Sequence, residues 1–239
     1  MTRVQPPQVE QILATGSWFS GLPREIACEV RNAGRLRALA AGASLFEQGG
    51  APSGLHAMIT GQLRIIAMTH DGDLQIAGIA RPGDWVGFLA CLDHGPHVYS
   101  GIAQQDMQVF SLSPTVVSAI FERDVATFRH LLAPELNLAR KVYGYVIEDA
   151  GEPHRRIAAR ITGLGRWPYA YAGGPLAPLE ELKQAELAAS VKLSRQTVNA
   201  TLRNFEARGL IELGYGRIRV LDPHALERIA SYGRSQEVA

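Results

Sequence analysis

Between Ser44 and Leu112 the chain is cut into short apolar runs, and after Ser113-Pro114 the cutting stops. The first stretch reads "SLFEQGGAPSG", "LHAMITGQLRIIAM", "THDGD", "LQIAGIARPGDWVG" and "DMQVFSLS", with turn signals at Gly61-Gln62, Asp71-Gly72 and Pro82-Gly83. Runs of this length fit strands, and nothing between them is long enough for the helix of a βαβ crossover. Short strands joined by glycine-rich turns predict an antiparallel barrel or β-roll of the jelly-roll kind. Residues 9–30 read as one or two short helices at its edge.

Beyond Ser113 the spacing of apolar residues becomes helical. "PTVVSAIFERD" and "VATFRHLL" read as short helices. "PELNLARKVYGYVIEDA" reads as a new one opening on Pro134, where a missing N–H costs nothing in the first turn. Leu138, Val142 and Tyr145 share a stripe on that helix, and Leu131 extends it across the proline. Such a stripe can lie on the β-roll or pair with its own copy in a two-fold dimer. After "EDAGEPHRR", "HRRIAARITGL" is helical, "GRWPYAYAGGPLAP" is a loop or short ribbon, and "LEELKQAELAASV" is helical again. The chain thus reads as α+β in three parts: a β domain with N-terminal helices (1–122), a connector helix (123–150) and a small helical domain (151–239).

Charge separates these parts. Residues 1–150 carry 11 Lys+Arg and 14 Asp+Glu, a balance of −3, whereas residues 151–239 carry 13 and 9, a balance of +4. A basic excess in the last part attracts polyanions. Within it, Leu187, Ala188 and Val191 give one helix an apolar edge, Lys192-Leu193 makes a short turn, and Ser194 caps the next helix. Val198, Leu202 and Phe205 form the inner face of that second helix, and Gly209 ends it. Opposite the inner face lie Arg195, Gln196 and Asn199. An arginine can grip guanine through two hydrogen bonds, and glutamine or asparagine can do so with adenine. Lys192, Ser194, Thr197 and Arg203 can hold neighbouring phosphates, and "LIELGYGRIRVLD" forms a two-stranded wing carrying Arg217 and Arg219 toward the backbone. A helix-turn-helix with base-capable side chains and a basic wing points to double-stranded DNA.

These residues carry a family resemblance. "LKQAELAASVKLSRQTVNATLRNFEARGLIELGYGRIRVLDPHAL", Leu182 to Leu226, closely resembles the winged helix-turn-helix of the CRP/FNR family of bacterial transcription regulators. The "SRQTV" opening, the "RGLI" exit and the "LDPHAL" after the wing are its specific parts. More loosely, the rest resembles the family's cyclic-nucleotide-binding-type β-roll and long dimerisation helix. The resemblance implies a homodimer on a palindromic operator, with RNA polymerase as a further partner. It matches Arg195 to the family's guanine-reading arginine, puts Gln196 where many members have a base-reading glutamate, and puts Ala200 where the cyclic-AMP receptor has a second arginine.

The family's nucleotide pocket uses a short helix bearing "GEL", then an arginine and a small hydroxyl residue. The matching stretch is "VGFLACLDHGPHVYS", where Gly87 and Leu89 agree but Phe88 replaces the glutamate and Val98 the arginine. Cyclic AMP is therefore not the expected effector. An apolar pocket of Gly87, Phe88, Leu89, Leu92, Val98 and Tyr99 can take a small organic molecule or be filled core. Haem is another reading, with Cys91, His94 and His97 as ligands. Arg64 and Arg81 remain as substitute cations, and Cys28 alone cannot supply the iron–sulfur cluster of oxygen-sensing relatives.

Two rival classes are weaker. A cupin-like metal enzyme or ligand-binding protein using the β-roll needs histidines and a carboxylate on facing strands, and the nearest set, Asp93, His94 and His97, falls in one loop. A scaffolding protein with a vestigial helix-turn-helix does not explain an intact Arg195, Gln196 and basic wing. No apolar run suits a bilayer or a secretory leader, so the expected location is cytoplasmic.

Overall fold

The short apolar runs are strands, and they pair as two four-stranded antiparallel sheets. The computed structural model describes residues 6–72, 74–148, 152–165, 179–180, 182, 184–214 and 216–231. Three helices come first, α1 (Pro6–Thr15), α2 (Ser17–Ser20) and α3 (Arg24–Ala33), where the sequence suggested one or two. Then follow β1 (Arg35–Leu39), β2 (Ser44–Phe46), β3 (Leu55–Thr60), β4 (Leu63–Met68), β5 (Leu74–Ala80) and β6 (Trp85–Val86). A short α4 (Phe88–Asp93), β7 (Ser100–Ala103), β8 (Met107–Leu112), α5 (Pro114–Phe121) and α6 (Val125–Glu148) complete this half. The rest comprises α7 (Pro153–Gly165), β9 (Leu179–Glu180), α8 (Gln184–Ser190), α9 (Arg195–Ala207), β10 (Ile211–Gly214), β11 (Arg217–Val220) and α10 (Pro223–Ser231). Two compact units result, one containing Met1–Ala139 and the other Arg140–Arg166 and Gly173–Ala239, so their division falls inside α6.

One sheet has the order β1-β8-β3-β6 and the other β2-β7-β4-β5. The runs look continuously apolar because the first sheet is covered on both faces. Along β3, Leu55, Ala57 and Ile59 face a core shared with Val9, Leu13, Trp18, Ile26 and Val30 of the N-terminal helices. Met58 points the other way, into the core between the sheets with Leu45, Phe46, Ile65 and Val109. Gly61, Gly72 and Gly83, read as turn residues, have φ of 76°, 82° and 92°.

Helix α6 departs from the sequence reading. The expected break at Pro134 is absent, and one helix of 24 residues runs through it. A proline there leaves the His130 carbonyl without its helical donor. The Trp18 indole supplies the replacement, donating from Nε1 to His130 O at 2.7 Å. Asp124 holds the start of α6, its carboxylate accepting from the Thr127 N–H and hydroxyl at 2.8 and 2.9 Å. A second departure lies in "LEELKQAEL", where Leu179–Glu180 is a strand pairing with Arg217 and Ile218 and the helix begins only at Gln184.

Candidate nucleic-acid interface and sensor cavity

In the second unit α8 ends and α9 begins within four residues, and the backbone shows how. The Lys192 N–H donates to Ala189 O at 3.2 Å and the Leu193 N–H to Ala188 O at 3.1 Å. This is a helix stop that needs a left-handed residue, and Lys192 takes it at φ 50°. Such non-glycine strain is avoided at the end of α9, where Gly209 occupies the equivalent place at φ 69° with the same bond pattern to Glu206 and Phe205. Ser194 then caps α9, its hydroxyl accepting from the Thr197 N–H at 3.1 Å. The Arg156 guanidinium of α7 donates to Val191 O and ties the turn to the unit. Val198, Leu202 and Phe205 are fully buried, as the apolar spacing predicts.

With that face inward, Arg195, Gln196 and Arg203 stand exposed, and Asn199 is half-buried beside them. Lys192 and Ser194 are exposed at the turn, while Thr197 is half-buried with its hydroxyl 2.8 Å from that of Ser194. The wing is β10 paired with β11, and β9 adds a third strand on the far side of β11. Arg217 and Arg219 are both exposed on the wing, with Arg219 held 3.1 Å from Glu212 on the neighbouring strand. Sequence reasoning missed β9, because two residues are too few to carry an alternating pattern.

The first unit contains a cavity of about 90 Å³. Gly87, Phe88, Leu89, Val98 and Tyr99 line it, together with Phe46, Ile65, His97 and, from α6, Glu135 and Leu138. Leu92, expected in the lining, packs against the core of the N-terminal helices instead. Phe88 is fully buried, its ring 4.9 Å from that of Trp18 in an edge-to-face contact. It can turn inward because Gly87 adopts φ 99°, with an added Cβ falling 2.2 Å from Gly54 O. No L side chain other than hydrogen fits there.

Behind the cavity runs a polar chain that the sequence did not announce, except as a lone histidine in the apolar run of β3. His56 Nδ1 lies 2.8 Å from the Ser111 hydroxyl, and His56 Nε2 lies 3.0 Å from the Ser53 hydroxyl. The Ser53 hydroxyl is also 2.9 Å from His97 Nε2. Burial, then the charges of Arg37 and His97, lowers the His56 pKa to about 3. Burial also lowers that of His97.

Two expectations need correction. Leu131, assigned to a dimer stripe, is fully buried in the core of the first unit, and Leu138 lies on the cavity one heptad further along the same face. Val142 and Tyr145 fall outside the residues whose side chains are described. The haem set is not assembled either: His94 is exposed at the end of α4, 3.5 Å from Glu122, whereas His97 is buried on Ser53. Burial pushes the Cys91 thiol up to about 12. Among the described residues, no three His, Cys, Asp or Glu side chains come together as a metal site.

Family comparison accounts for both units. The model described as "Cyclic nucleotide-binding domain" matches residues 36–124, and "Crp-like helix-turn-helix domain" matches residues 155–229. The chain belongs to the CRP/FNR family. It is 27% identical over 193 residues to the cyclic AMP receptor protein of Thermus thermophilus, covering 79% of this chain and 85% of that one. It is also 27% identical over 224 residues to the CRP-like cAMP-activated global transcriptional regulator of Mycobacterium tuberculosis, covering 93% and 100%. Among solved structures, FixK2 from Bradyrhizobium japonicum shares the fold, with a TM-score of 0.64 at 19% identity over 82% of this chain and 96% of that one. This CRP/FNR regulator is a DNA-binding transcription regulator.

Its cavity does not fit the ligand for which the family's sensor model is named. The one charged side chain among the described lining residues is the carboxylate of Glu135, and Phe88 is committed to the core. Arg64 neighbours the cavity-lining Ile65 in β4 and so points to the opposite face of the sheet. Arg81 donates from Nη1 to Ile79 O at 3.2 Å and is not part of the described lining. Among the described lining residues a cyclic phosphate meets no cation to offset its lost hydration.

Proposed function

We propose that this regulator binds a palindromic operator as a homodimer in the cytoplasm, with one α9 in each major groove and RNA polymerase as a further partner. The observation that carries this reading is the first turn of α9, capped by Ser194 and presenting Arg195 and Gln196 to solvent. A helix enters the groove with such N-terminal residues toward the base edges. Arg195 reads a guanine, Gln196 and Asn199 read adenines, and Lys192, Ser194, Thr197, Arg203, Arg217 and Arg219 hold phosphates. Residues Leu136 and Tyr143, 48% and 68% exposed and seven apart on α6, offer apolar surface that a second copy can cover. Two recognition helices then meet half-sites about 34 Å apart, one helical turn of the duplex.

The test is fluorescence anisotropy with DNA from upstream of its own and neighbouring genes, over a salt series. A specific site shows a steep salt slope. Arg195→Ala should weaken it by about 1–3 kcal/mol per half-site and leave binding to unrelated duplexes almost unchanged. Equal affinity for every duplex, in the wild type, would refute the reading.

A further inference from the structure

The cavity in the first unit and the family's usual effector disagree in chemistry, and the disagreement is detailed enough to name an alternative. Much of the described wall is apolar: Phe46, Ile65, Val98 and Leu138. An anion placed there loses its water and meets no cationic side chain among the described lining residues. His97 does not supply the missing cation. Its Nε2 accepts from the Ser53 N–H at 3.2 Å and from the Ser53 hydroxyl at 2.9 Å. That hydroxyl must then accept from His56 Nε2, whose own Nδ1 accepts from Ser111. Only this placement of protons satisfies all four bonds with both rings neutral, and it leaves His97 carrying its proton on Nδ1. The group His97 can offer a ligand is therefore an N–H donor.

We propose that the cavity takes a small, uncharged, largely apolar molecule with one hydrogen-bond-accepting end, and that it rejects cyclic nucleotides. The Phe46 ring stacks on His97 at 4.4 Å and 17°, giving the cavity a flat aromatic wall suited to a flat guest. Glu135 and Leu138 bring α6 into the lining, so an occupant touches the helix that runs on toward the DNA-binding half of the chain.

Ligand-observed NMR on the intact protein without DNA tests this with four probes. Benzamide and phenol should bind, while benzoate, the same ring with a negative end, and cyclic AMP should bind at least about tenfold more weakly. Val98→Arg adds a cation on the cavity rim, where Val98 is 46% exposed and a long side chain disturbs the fold least. It should reverse the preference for benzamide over benzoate. Benzoate or cyclic AMP binding as well as benzamide overturns the proposal, as does no binding by either neutral probe, or an unchanged preference in the variant. No DNA is present, so failure here leaves the operator reading standing, and the converse also holds.

Discussion

Two helices of this regulator open on residues that bear on recognition, and they treat those residues in opposite ways. At the start of α9 a serine cap frees Arg195 and Gln196 to stand in water. At the start of α4 a left-handed glycine turns Phe88 fully inward, onto Trp18. The recognition proposed for α9 would thus be laid over a face that the fold does not need. Around α4 the same side chain lines the cavity and fills the core, so the binding proposed for the cavity and the stability of the fold cannot be separated there.

Phe88→Ala puts the largest strain on this contrast. It should cost about 3–5 kcal/mol in denaturant unfolding, as expected for a buried aromatic truncated to a methyl. Arg195→Ala, which should weaken operator binding, should leave the same unfolding curve in place. If both variants unfold alike, the contrast is wrong. A second measurement sharpens it through pH. His56 is neutral in the folded protein, with its pKa lowered to about 3 from 6.5. The unfolded chain therefore binds one more proton between those values. Stability from this site is complete above about pH 6.5 and falls by about 1.4 kcal/mol for each unit of acidification toward pH 3. His56→Gln should flatten that slope in unfolding curves taken across the range. The smallest effect belongs to Lys192, whose φ of 50° is better suited to glycine. Lys192→Gly should stabilise the second unit by about 1 kcal/mol in thermal unfolding. It should also reduce the salt slope of operator binding by about one for each half-site.

Much of the DNA-binding half was legible because its elements are local. The Ser194 cap, the Val198-Leu202-Phe205 face and the Gly209 stop each act within one or two turns of the residue that signals them. The strands of the β-roll were legible for the same reason, since alternation and turn glycines are short-range. What escaped notice depends on residues distant in sequence. Nothing near Pro134 says that an indole 116 positions earlier will donate to the carbonyl of His130 that the proline strands. Leu131 and Leu138 fit a dimer seam by period, yet a helix period names a face without naming what covers it. The polar chain behind the cavity likewise joins Ser53 and His56 to His97 and Ser111, from three separate stretches.

The bond from Trp18 to the backbone of His130 makes the N-terminal helix α2 a working part of the long helix. A fragment trimmed to start at the β-roll would keep every strand and still leave that carbonyl stranded at the proline. Shortened versions of this regulator should therefore be cut ahead of α1, because a cleaner-looking cut behind α2 removes the pin that keeps the helix whole.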